Sequence, residues 1–332
     1  MIKTPFHIIR DTTPPGDIPR GAVVALGNFD GVHLGHRTVI AAAQKMAEDA
    51  GQMAFALSFE PHPRSFFNPA APHFRLTNER AKLRLLAGTG LDGAVVLAFN
   101  AARAATSAQD FINHELVQRL GVSGISVGDD FHFGKGRSGS PATLAEQGQR
   151  LGFKVHIQSH IDLAGLPISS SAIRAALAEG HIRDATAMLG GPWFVSGTVI
   201  HGQKRGRNLG YPTANIRLDP HVDLKHGIYA VRVGLGRGFG GGSDPQRFGG
   251  VASYGRRPTF DNGQPLLEVF LFDFNADLYG QTLDVAFIEY LRGEQKFDDV
   301  PALVRQMDDD SLRARAVLEA APEAFPTLGE VG

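Results

Sequence analysis

Short apolar runs alternate with longer amphipathic segments over the first half of the chain. Runs of this length indicate buried strands, and apolar residues that recur at helical spacing indicate helices. The predicted strands are Val23–Leu26, Met53–Phe59, Ala94–Phe99, Ile125–Val127 and Phe153–Ile157. The predicted helices are Arg37–Ala50, Asn78–Ala87, Ala108–Leu120 and Pro141–Leu151. Because helices bridge the strands, the pattern predicts a parallel, doubly wound sheet.

The pattern changes after Gly190-Gly191-Pro192. Closely spaced apolar runs separated by Gly, Pro, Asn and Asp follow, at Trp193–His201, Ile228–Val233, Phe248–Ser253, Leu266–Phe274 and Leu283–Tyr290. This spacing favours an antiparallel β-barrel. We expect a terminal helix over roughly Val300–Ala321 and a hairpin tip at Gly234–Gly250. The predicted fold class is α/β, with an N-terminal doubly wound parallel-sheet domain at 1–186 and a C-terminal antiparallel β-barrel domain with a terminal helix at 187–332.

Composition narrows the class of protein. A chain of 332 residues exceeds the usual size of one hydrophobic core, which also favours two domains. The net charge of −1 gives no reason to expect nucleic acid or a membrane surface as a partner, and the absence of cysteine excludes disulfides and thiolate metal sites. No signal peptide or run of membrane-spanning length is recognisable, so we expect a cytoplasmic protein without a membrane partner. The sequence leaves room for a weak homo-oligomer.

The strongest chemical signal is Gly27–His36, which follows the first predicted strand and reads G-N-F-D-G-V-H-L-G-H. A glycine-rich turn that opens a helix presents backbone N–H groups where a phosphate can bind. His33 and His36 lie three residues apart, so both rings share one helical face and can address the same anion. The alternative is a pair of surface or capping histidines. The H-x-G-H pattern favours the handling of a nucleotide phosphate.

Three further segments of the first half carry candidate chemistry. Ile168–Arg174 combines three serines with an arginine at a helix start, which suits a triphosphate clamp or ordinary helix capping. Gly128–Lys135 lacks the spacing of a Walker A loop and carries two spaced aromatics, so it suits a planar ring or is an ordinary loop. Phe59–Phe67 contains three phenylalanines and two prolines, which indicates a stacking surface or a small hydrophobic cluster under the loop.

The second half carries its own candidates. His201–Asn215 combines glycines, basic residues and the sequence P-T-A-N, and is either a phosphate-binding loop or a basic turn leading into a strand. Thr213 and Asn215 offer oxygen atoms, which Mg²⁺ prefers as ligands. Glu268 lies in an apolar strand, where a poorly solvated carboxylate suits a general base or a structural ion pair.

These motifs resemble those of the bifunctional prokaryotic riboflavin kinase/FMN adenylyltransferase (FAD synthetase) family along nearly the whole chain. G-R-R-P-T-F at Gly255–Phe260 and L-R-G-E-Q-K-F at Leu291–Phe297 add to the resemblance. It implies a C-terminal kinase that makes FMN from riboflavin and ATP. It also implies an N-terminal nucleotidyltransferase domain that makes FAD and pyrophosphate from FMN and ATP. The implied partners are these small molecules, with Mg²⁺ as the cofactor.

The resemblance also implies the residues of each site. His33, His36, Arg174 and Glu268 are the expected catalytic residues, with Glu268 as the base of the kinase. The expected ATP-binding residues of the adenylyltransferase are Gly27, Asn28, Phe29, Asp30, His33, Gly35, His36, Ser169, Ser170, Ser171 and Arg174. Its expected flavin-binding residues are Pro61, Pro63, Phe66, Asp130, Phe131 and Phe133. The expected ATP-binding residues of the kinase are Gly202, Lys204, Gly206, Arg207, Gly210, Pro212, Thr213 and Asn215, of which Thr213 and Asn215 are expected to hold Mg²⁺.

Some positions depart from the family pattern. Ser253 stands where relatives usually carry asparagine, Phe270 stands where they often carry histidine, and Gly234–Gly250 is expanded. These changes bear on substrate affinity more than on reaction type. Two other functions stay open from the residues alone. One is an adenylyltransferase for another phosphorylated acceptor, such as a pantetheine or nicotinamide phosphate, and the other is a flavin-binding protein that has lost catalysis.

Overall fold

The computed structural model describes residues 5–70, 73–163, 165–202, 206–236, 246–256 and 265–331. Lys204, residues 237–245 of the predicted hairpin tip and residues 257–260 of the G-R-R-P-T-F motif lie outside them. The chain divides into two compact units. The first unit holds the described residues up to His73, Thr77–Ser170 and those from Thr327 onward, and the second unit holds Phe74–Leu76 and Ser171–Pro326.

The first unit alternates strands and helices. Its strands are β1 (His7–Arg10), β2 (Val23–Leu26), β3 (Ala54–Glu60), β4 (Gly93–Ala98), β5 (Gly124–Gly128), β6 (Lys154–Gln158), β7 (Asp162–Leu163) and β8 (Leu166–Pro167). Its helices are α1 (Leu34–Ala50), α2 (Pro63–Phe67), α3 (Glu79–Gly88), α4 (Ala101–Ala105), α5 (Ala108–Asp110) and α6 (Pro141–Leu151). Helix α5 continues as π-type turns over Phe111–Arg119, and 3-10 turns lie at Pro15–Asp17 and Lys135–Arg137.

Six of these strands form one sheet, in the order β1-β4-β3-β2-β5-β6 with every pair parallel. The predicted doubly wound parallel sheet is therefore confirmed. The edge strand β1 was not predicted, because polar His7 and Arg10 leave it an apolar run of only two residues. Helix α1 packs against β2 and β5. The His33 side chain caps its first turn, and Gly51 ends it in the left-handed conformation, with φ of 62°.

The described residues of the second unit form a barrel and three helices. Its strands are β9 (Phe194–Ile200), β10 (Thr213–Arg217), β11 (Gly227–Leu235), β12 (Gln246–Arg256), β13 (Pro265–Leu271) and β14 (Thr282–Arg292). Helix α7 (Ser170–Glu179) begins at the boundary between the units, and α8 (Ile182–Leu189) and α9 (Val300–Glu319) follow it. A 3-10 turn lies at Gly206–Leu209.

The strands of the second unit close in the order β10-β13-β12-β11-β14-β9, with antiparallel pairing throughout. Leu267 and Val269 of β13 point into the core, and α9 packs on β11, β12 and β14. The predicted antiparallel barrel with a terminal helix is confirmed. Strand β10 was not predicted, because its apolar residues alternate with the polar Thr213 and Asn215 of the P-T-A-N motif. Among the described helices, none has the length and apolar character needed to cross a membrane.

Candidate active sites

The candidate residues of the first unit lie on loops at the carboxyl edge of the parallel sheet. Gly27–His33 follows β2, the Pro61–Pro63 segment follows β3, and the Asp130–Phe133 segment follows β5. Strand order reverses between β2 and β5, because β3 and β4 lie on one side of β2 while β5 and β6 lie on the other. Parallel sheets bind ligands at such a reversal, outside the carboxyl ends of the strands. The topology therefore places the H-x-G-H loop where this fold class binds its ligands.

The loop between β2 and α1 has an unusual backbone. Phe29 and Val32 adopt positive φ angles of 52° and 45°, which cost about 1–3 kcal/mol each for residues other than glycine. Both side chains are fully buried, and the Phe29 ring meets the His36 ring edge-on at 5.3 Å between centroids. The conformation therefore persists because the surrounding structure fixes it.

Hydrogen bonds from Thr77 and Ser170 also fix this loop. The carboxylate of Asp30 is buried and accepts hydrogen bonds from Thr77, at 3.1 Å from the backbone N–H and 3.3 Å from the hydroxyl. The Gly31 N–H donates to the Thr77 hydroxyl at 3.2 Å. The Ser170 hydroxyl donates to the Asp30 carbonyl at 3.0 Å. Asp30 and Ser170 thus hold the loop in shape, and their contact with ATP stays a prediction. Thr77 was not predicted from the sequence.

The two histidines form a stacked pair, with ring centroids 3.6 Å apart and planes inclined by 18°. The His36 backbone N–H donates to Nδ1 of His33 at 3.2 Å, so this nitrogen carries no proton and the His33 ring is neutral. Burial first, then the electrostatic effects of His33 and Lys82, lower the pKa of His36 well below its usual value. Nδ1 of His36 is buried and makes no hydrogen bond within the described part of the chain. The pair is therefore suited to act as neutral hydrogen-bonding rings.

The serine segment begins α7. Ser169 and Ser170 belong to the first unit, whereas Ser171 and Arg174 belong to the second. The Arg174 guanidinium donates to the Ser171 hydroxyl at 3.4 Å and to the Phe74 carbonyl at 3.5 Å, both long hydrogen bonds. The phosphate clamp stays a prediction.

The predicted flavin residues form two aromatic groups. Phe66 in α2 meets Phe67 and Phe99 edge-on, each at 5.4 Å between centroids, and Phe67 is 61% exposed. Pro63 starts α2, and Pro61 precedes it. On the neighbouring loop Phe131 stacks on Phe133 at 6.2 Å.

The two aromatic groups differ in exposure. Phe133 belongs to the sheet core, and Phe131 packs partly buried against it. Asp130 is exposed. Phe66 and Phe67 therefore offer the more accessible apolar surface, whereas Phe133 contributes mainly to packing.

In the second unit the candidate residues lie on strands. Asn215 on β10 stands directly opposite Glu268 on β13, and Glu268 stands directly opposite Ser253 on β12. Thr213 stands opposite Phe270 in the same ladder. Residues directly opposite in antiparallel strands share a face, with Cβ atoms about 4.5–5.5 Å apart. The register therefore brings Thr213, Asn215 and Glu268 together on one face of the barrel, and the Glu268 side chain is half-buried there.

Two glycines allow the backbone to pack closely around Asn215 and Tyr211. A Cβ atom on Gly202 would lie 2.4 Å from Nδ2 of Asn215, and one on Gly206 would lie 2.3 Å from the Tyr211 carbonyl oxygen. Asn215 is 7% exposed, and its Nδ2 makes a long 3.4 Å hydrogen bond to the Thr213 carbonyl. The backbone at Gly202 therefore lies so close to the Asn215 amide that a residue with a Cβ atom would not fit there without a shift.

The remaining predicted ATP-binding residues of this unit lie close to Thr213 along the chain. Gly210, with φ of 84°, and Pro212 precede Thr213. The side chains of Lys204 and Arg207 lie outside what the structure describes. For Gly202, Gly206, Gly210 and Pro212, contact with ATP stays a prediction.

Tyr211 connects this loop to the terminal helix. Its hydroxyl donates to Asp308 of α9, and burial followed by this hydrogen bond raises the pKa of Tyr211 to about 12. Its ring meets Phe270 edge-on at 4.9 Å. Neither contact was predicted from the sequence, because Phe270 and Asp308 both lie far from Tyr211 along the chain.

Comparison with known proteins places the chain in a family. A family model described as FAD synthetase matches residues 16–172, and one described as riboflavin kinase matches residues 189–318. A bifunctional riboflavin kinase/FMN adenylyltransferase from Pseudomonas fluorescens is 40% identical, covering 92% of this chain and 95% of its own length. The chain belongs to the bifunctional riboflavin kinase/FMN adenylyltransferase family. The family resemblance predicted from the motifs is therefore confirmed.

A further relative and a solved structure also match most of the chain. A family member from Haemophilus influenzae is 39% identical, covering 94% of this chain and 99% of its own length. A crystal structure from Streptococcus pneumoniae, described as a macrolide-efflux protein, is 31% identical and superimposes with a TM-score of 0.81 over 93% of this chain and 98% of that one. The fold thus has a counterpart among solved structures, and the family supplies the functional comparison.

Proposed function

We propose that the chain catalyses two consecutive reactions. The second unit transfers the γ-phosphate of ATP to the 5′-hydroxyl of riboflavin, which gives FMN and ADP. The first unit then joins FMN to the AMP moiety of ATP, which gives FAD and pyrophosphate. The observation that carries the proposal is the order of the two family models, because the first match contains His33 and His36 and the second contains Thr213, Asn215 and Glu268.

For the kinase reaction we assign the base to Glu268. Its carboxylate stands on the same barrel face as Asn215 and Thr213, where it can accept the proton of the riboflavin hydroxyl as the oxygen attacks phosphorus. Its half-buried position leaves it open to a substrate. The neighbouring residues position ATP, since phosphoryl transfer depends mainly on alignment and charge stabilisation.

The residues of the barrel face also fit Mg²⁺. Thr213 and Asn215 present a hydroxyl and an amide oxygen two residues apart on one strand, and hard cations take such neutral oxygens together with phosphate oxygens and water. Gly202 leaves the space beside the Asn215 amide free of a side chain. Thr213 and Asn215 would therefore hold the ion, which when bound neutralises charge on the transferred phosphoryl group.

For adenylyl transfer the phosphate of FMN is itself the nucleophile, so the reaction requires no strong base. An FMN phosphate oxygen bonds to the α-phosphorus of ATP while the bond to pyrophosphate breaks. His33 and His36 donate N–H hydrogen bonds to the phosphates from the start of α1, where the helix dipole also favours negative charge. Ser169, Ser171 and Arg174 complete the phosphate contacts, and Phe66 and Phe131 line the flavin side.

The boundary between the activities lies in the interval from residue 172 to residue 189, between the two family matches. We place it at 186/187, which lies within α8 and before the first barrel strand, β9. The two compact units divide earlier, at Ser170 and Ser171, and α8 packs against β14 of the second unit. We also propose that the protein is cytoplasmic, that it takes small-molecule substrates without a nucleic-acid or membrane partner, and that it forms a weak homo-oligomer.

Flavin chromatography tests both activities. The chain is incubated with riboflavin, ATP and Mg²⁺, and separately with FMN, ATP and Mg²⁺. We expect FMN followed by FAD in the first reaction and FAD with pyrophosphate in the second. A failure to form FAD from FMN, with pyrophosphate released when phosphopantetheine or nicotinamide mononucleotide is supplied, would assign the first unit to another acceptor. A failure of both reactions would leave a flavin-binding protein.

A further inference from the structure

The first unit contains a buried lysine that the H-x-G-H motif does not include. Lys82 on α3 is 2% exposed, and its Nζ lies 2.7 Å from Oε1 of Glu60 at the end of β3. A buried ammonium group is costly unless it is paired and hydrogen-bonded. Helix α3 buries Leu85 and Leu86, three and four residues further on, so Lys82 lies on the face that packs on the sheet.

The lysine also contacts the nucleotide loop itself. Its Nζ donates to the Ser58 hydroxyl at 2.9 Å and to the Asn28 carbonyl oxygen at 3.4 Å. The Ser58 hydroxyl donates to the same carbonyl oxygen at 3.1 Å. Two donors therefore converge on the Asn28 carbonyl, immediately before Phe29 takes its positive φ angle. The contact lies at the point where the backbone turns from β2 into the loop.

A second observation connects the lysine to the histidines. The charge of Lys82 is one of the causes that lower the pKa of His36, after burial and after the electrostatic effect of His33. Lys82 on α3 is thus a cation that acts on the His36 ring. The ammonium group is close enough to favour a neutral ring, which can donate a hydrogen bond without carrying a charge.

We infer that Lys82 is a positioning residue for adenylyl transfer, which fixes the loop carrying the H-x-G-H pair through the Asn28 carbonyl and Glu60. This inference rests on the proposed function of the first unit. A purely structural ion pair would need only Glu60. The additional donation to Ser58 and Asn28 gives the lysine a direct contact with the loop, on which the alignment of His33 and His36 depends.

A double substitution separates the positioning of the loop from the ion pair with Glu60. Lys82→Met alone leaves the Glu60 carboxylate buried without this partner, so the fold itself is expected to lose stability. Lys82→Met with Glu60→Gln removes both charges and avoids that problem. The matched control is Lys45→Met, which removes an exposed lysine paired with Asp49 on α1. Each full-length variant is assayed for FAD formation from FMN, for FMN formation from riboflavin, and for Tm.

In the double variant we expect Tm and the rate of FMN formation to stay close to those of the unsubstituted chain. The kcat of FAD formation should fall by roughly 10²-fold, because a displaced loop misaligns the reacting groups. The KM for FMN should change little, since the lysine contacts the phosphate-binding loop and not Phe66 or Phe131. Lys45→Met should change none of these quantities. A double variant with full kcat for FAD formation would overturn the inference.

Hydrogen–deuterium exchange tests the inference independently of activity. In the double variant, amides of residues 27–36 should exchange faster than in the unsubstituted chain, while those of the barrel should not change. If the unsubstituted chain made no FAD, the proposed function would fail, and faster exchange in this loop would still support the positioning contact. Unchanged exchange in residues 27–36 would contradict that contact whether or not the chain made FAD.

Discussion

The two units carry their chemistry on different kinds of backbone. In the first unit the candidate residues lie on loops that follow parallel strands, and the loop Gly27–His33 includes two strained residues, Phe29 and Val32. In the second unit Thr213, Asn215 and Glu268 lie on antiparallel strands, and the ladder register itself brings them together. A strand carries its side chains in fixed alternation, whereas a loop has no such constraint.

This difference determines what each site needs from the rest of the protein. The loop is fixed by contacts from Ser58, Thr77, Lys82 and Ser170, which come from widely separated parts of the chain. The strand site needs close neighbours without side chains, and Gly202 provides one. Substitutions of supporting residues should therefore affect the first site through loop position, and the second site through direct crowding.

The largest expected effect separates the two sites through the kinase base. Glu268→Gln should reduce FMN formation from riboflavin by about 10²–10⁴-fold, because the variant lacks the carboxylate that accepts the proton. FAD formation from supplied FMN should not change. Chromatographic rates with each substrate measure both effects.

Glu289→Gln is the control for this substitution, since it alters a carboxylate on β14 that pairs with Arg183 outside the proposed site. It should leave both rates unchanged. An equal loss of both activities in Glu268→Gln would argue against separate sites.

The second expected effect impairs FAD formation and spares FMN formation. His36→Ala should slow FAD formation from FMN by about 10²–10³-fold, the range found for the loss of one hydrogen-bond donor to developing negative charge. FMN formation should be spared. His156→Ala, which alters an exposed histidine on β6, serves as the control. An unchanged rate of FAD formation in His36→Ala would contradict the phosphate role of the pair.

A smaller effect tests crowding in the barrel. Gly202→Ala would place a methyl group 2.4 Å from Nδ2 of Asn215, so the amide must move. We expect FMN formation to slow on the order of tenfold, with an increased KM for ATP. Gly191→Ala is the matched control, because a Cβ atom there meets nothing within 4 Å. Equal rates in the two variants would show that the Asn215 position is not critical.

The smallest effect is on the pH dependence of stability. The folded chain lowers the pKa of His36 below the ordinary value of 6.5, so below this pH the unfolded chain binds more protons than the folded chain. The contribution of the neutral His36 ring to folding stability is complete above pH 6.5. It is lost as the pH falls toward the lowered pKa of the folded chain. Between pH values of about 7.5 and 5.5, His36→Gln should therefore lose less Tm than the unsubstituted chain.

The difference should amount to a few degrees, since one kcal/mol corresponds to roughly 2–4 °C in a domain of this size. Thermal unfolding followed by circular dichroism at both pH values provides the measurement. His156→Gln serves as the exposed control. A variant that lost as much Tm as the unsubstituted chain would show that His36 does not contribute to the acid sensitivity.

Sequence patterns predicted most of the fold because burial in a parallel sheet produces continuous apolar runs, of which Val23–Leu26 is the clearest case. Strands β1 and β10 were not predicted, for two different reasons. β1 is short and lies at the edge of the sheet, with polar residues at both ends. β10 is half polar because its outward-facing positions, Thr213 and Asn215, are candidate functional residues.

The sequence located the candidate loops but not the residues that support them. Thr77 and Lys82 are ordinary polar residues near the start of a helix, and their partners Asp30 and Glu60 lie 47 and 22 positions earlier in the chain. One signal was present for Lys82. Leu85 and Leu86 follow it at three and four residues, which places the lysine on the apolar face of α3. Pairing across the sheet becomes visible only in the folded chain.

The central claim is that two separate sites act in sequence, and a complementation assay tests it most directly. Glu268→Gln and His36→Ala are incubated with riboflavin, ATP and Mg²⁺, first separately and then mixed in equal amounts. We predict almost no FAD from either variant alone, and FAD from the mixture as FMN made by His36→Ala is used by Glu268→Gln. A mixture that forms no more FAD than the sum of the separate variants would contradict the claim.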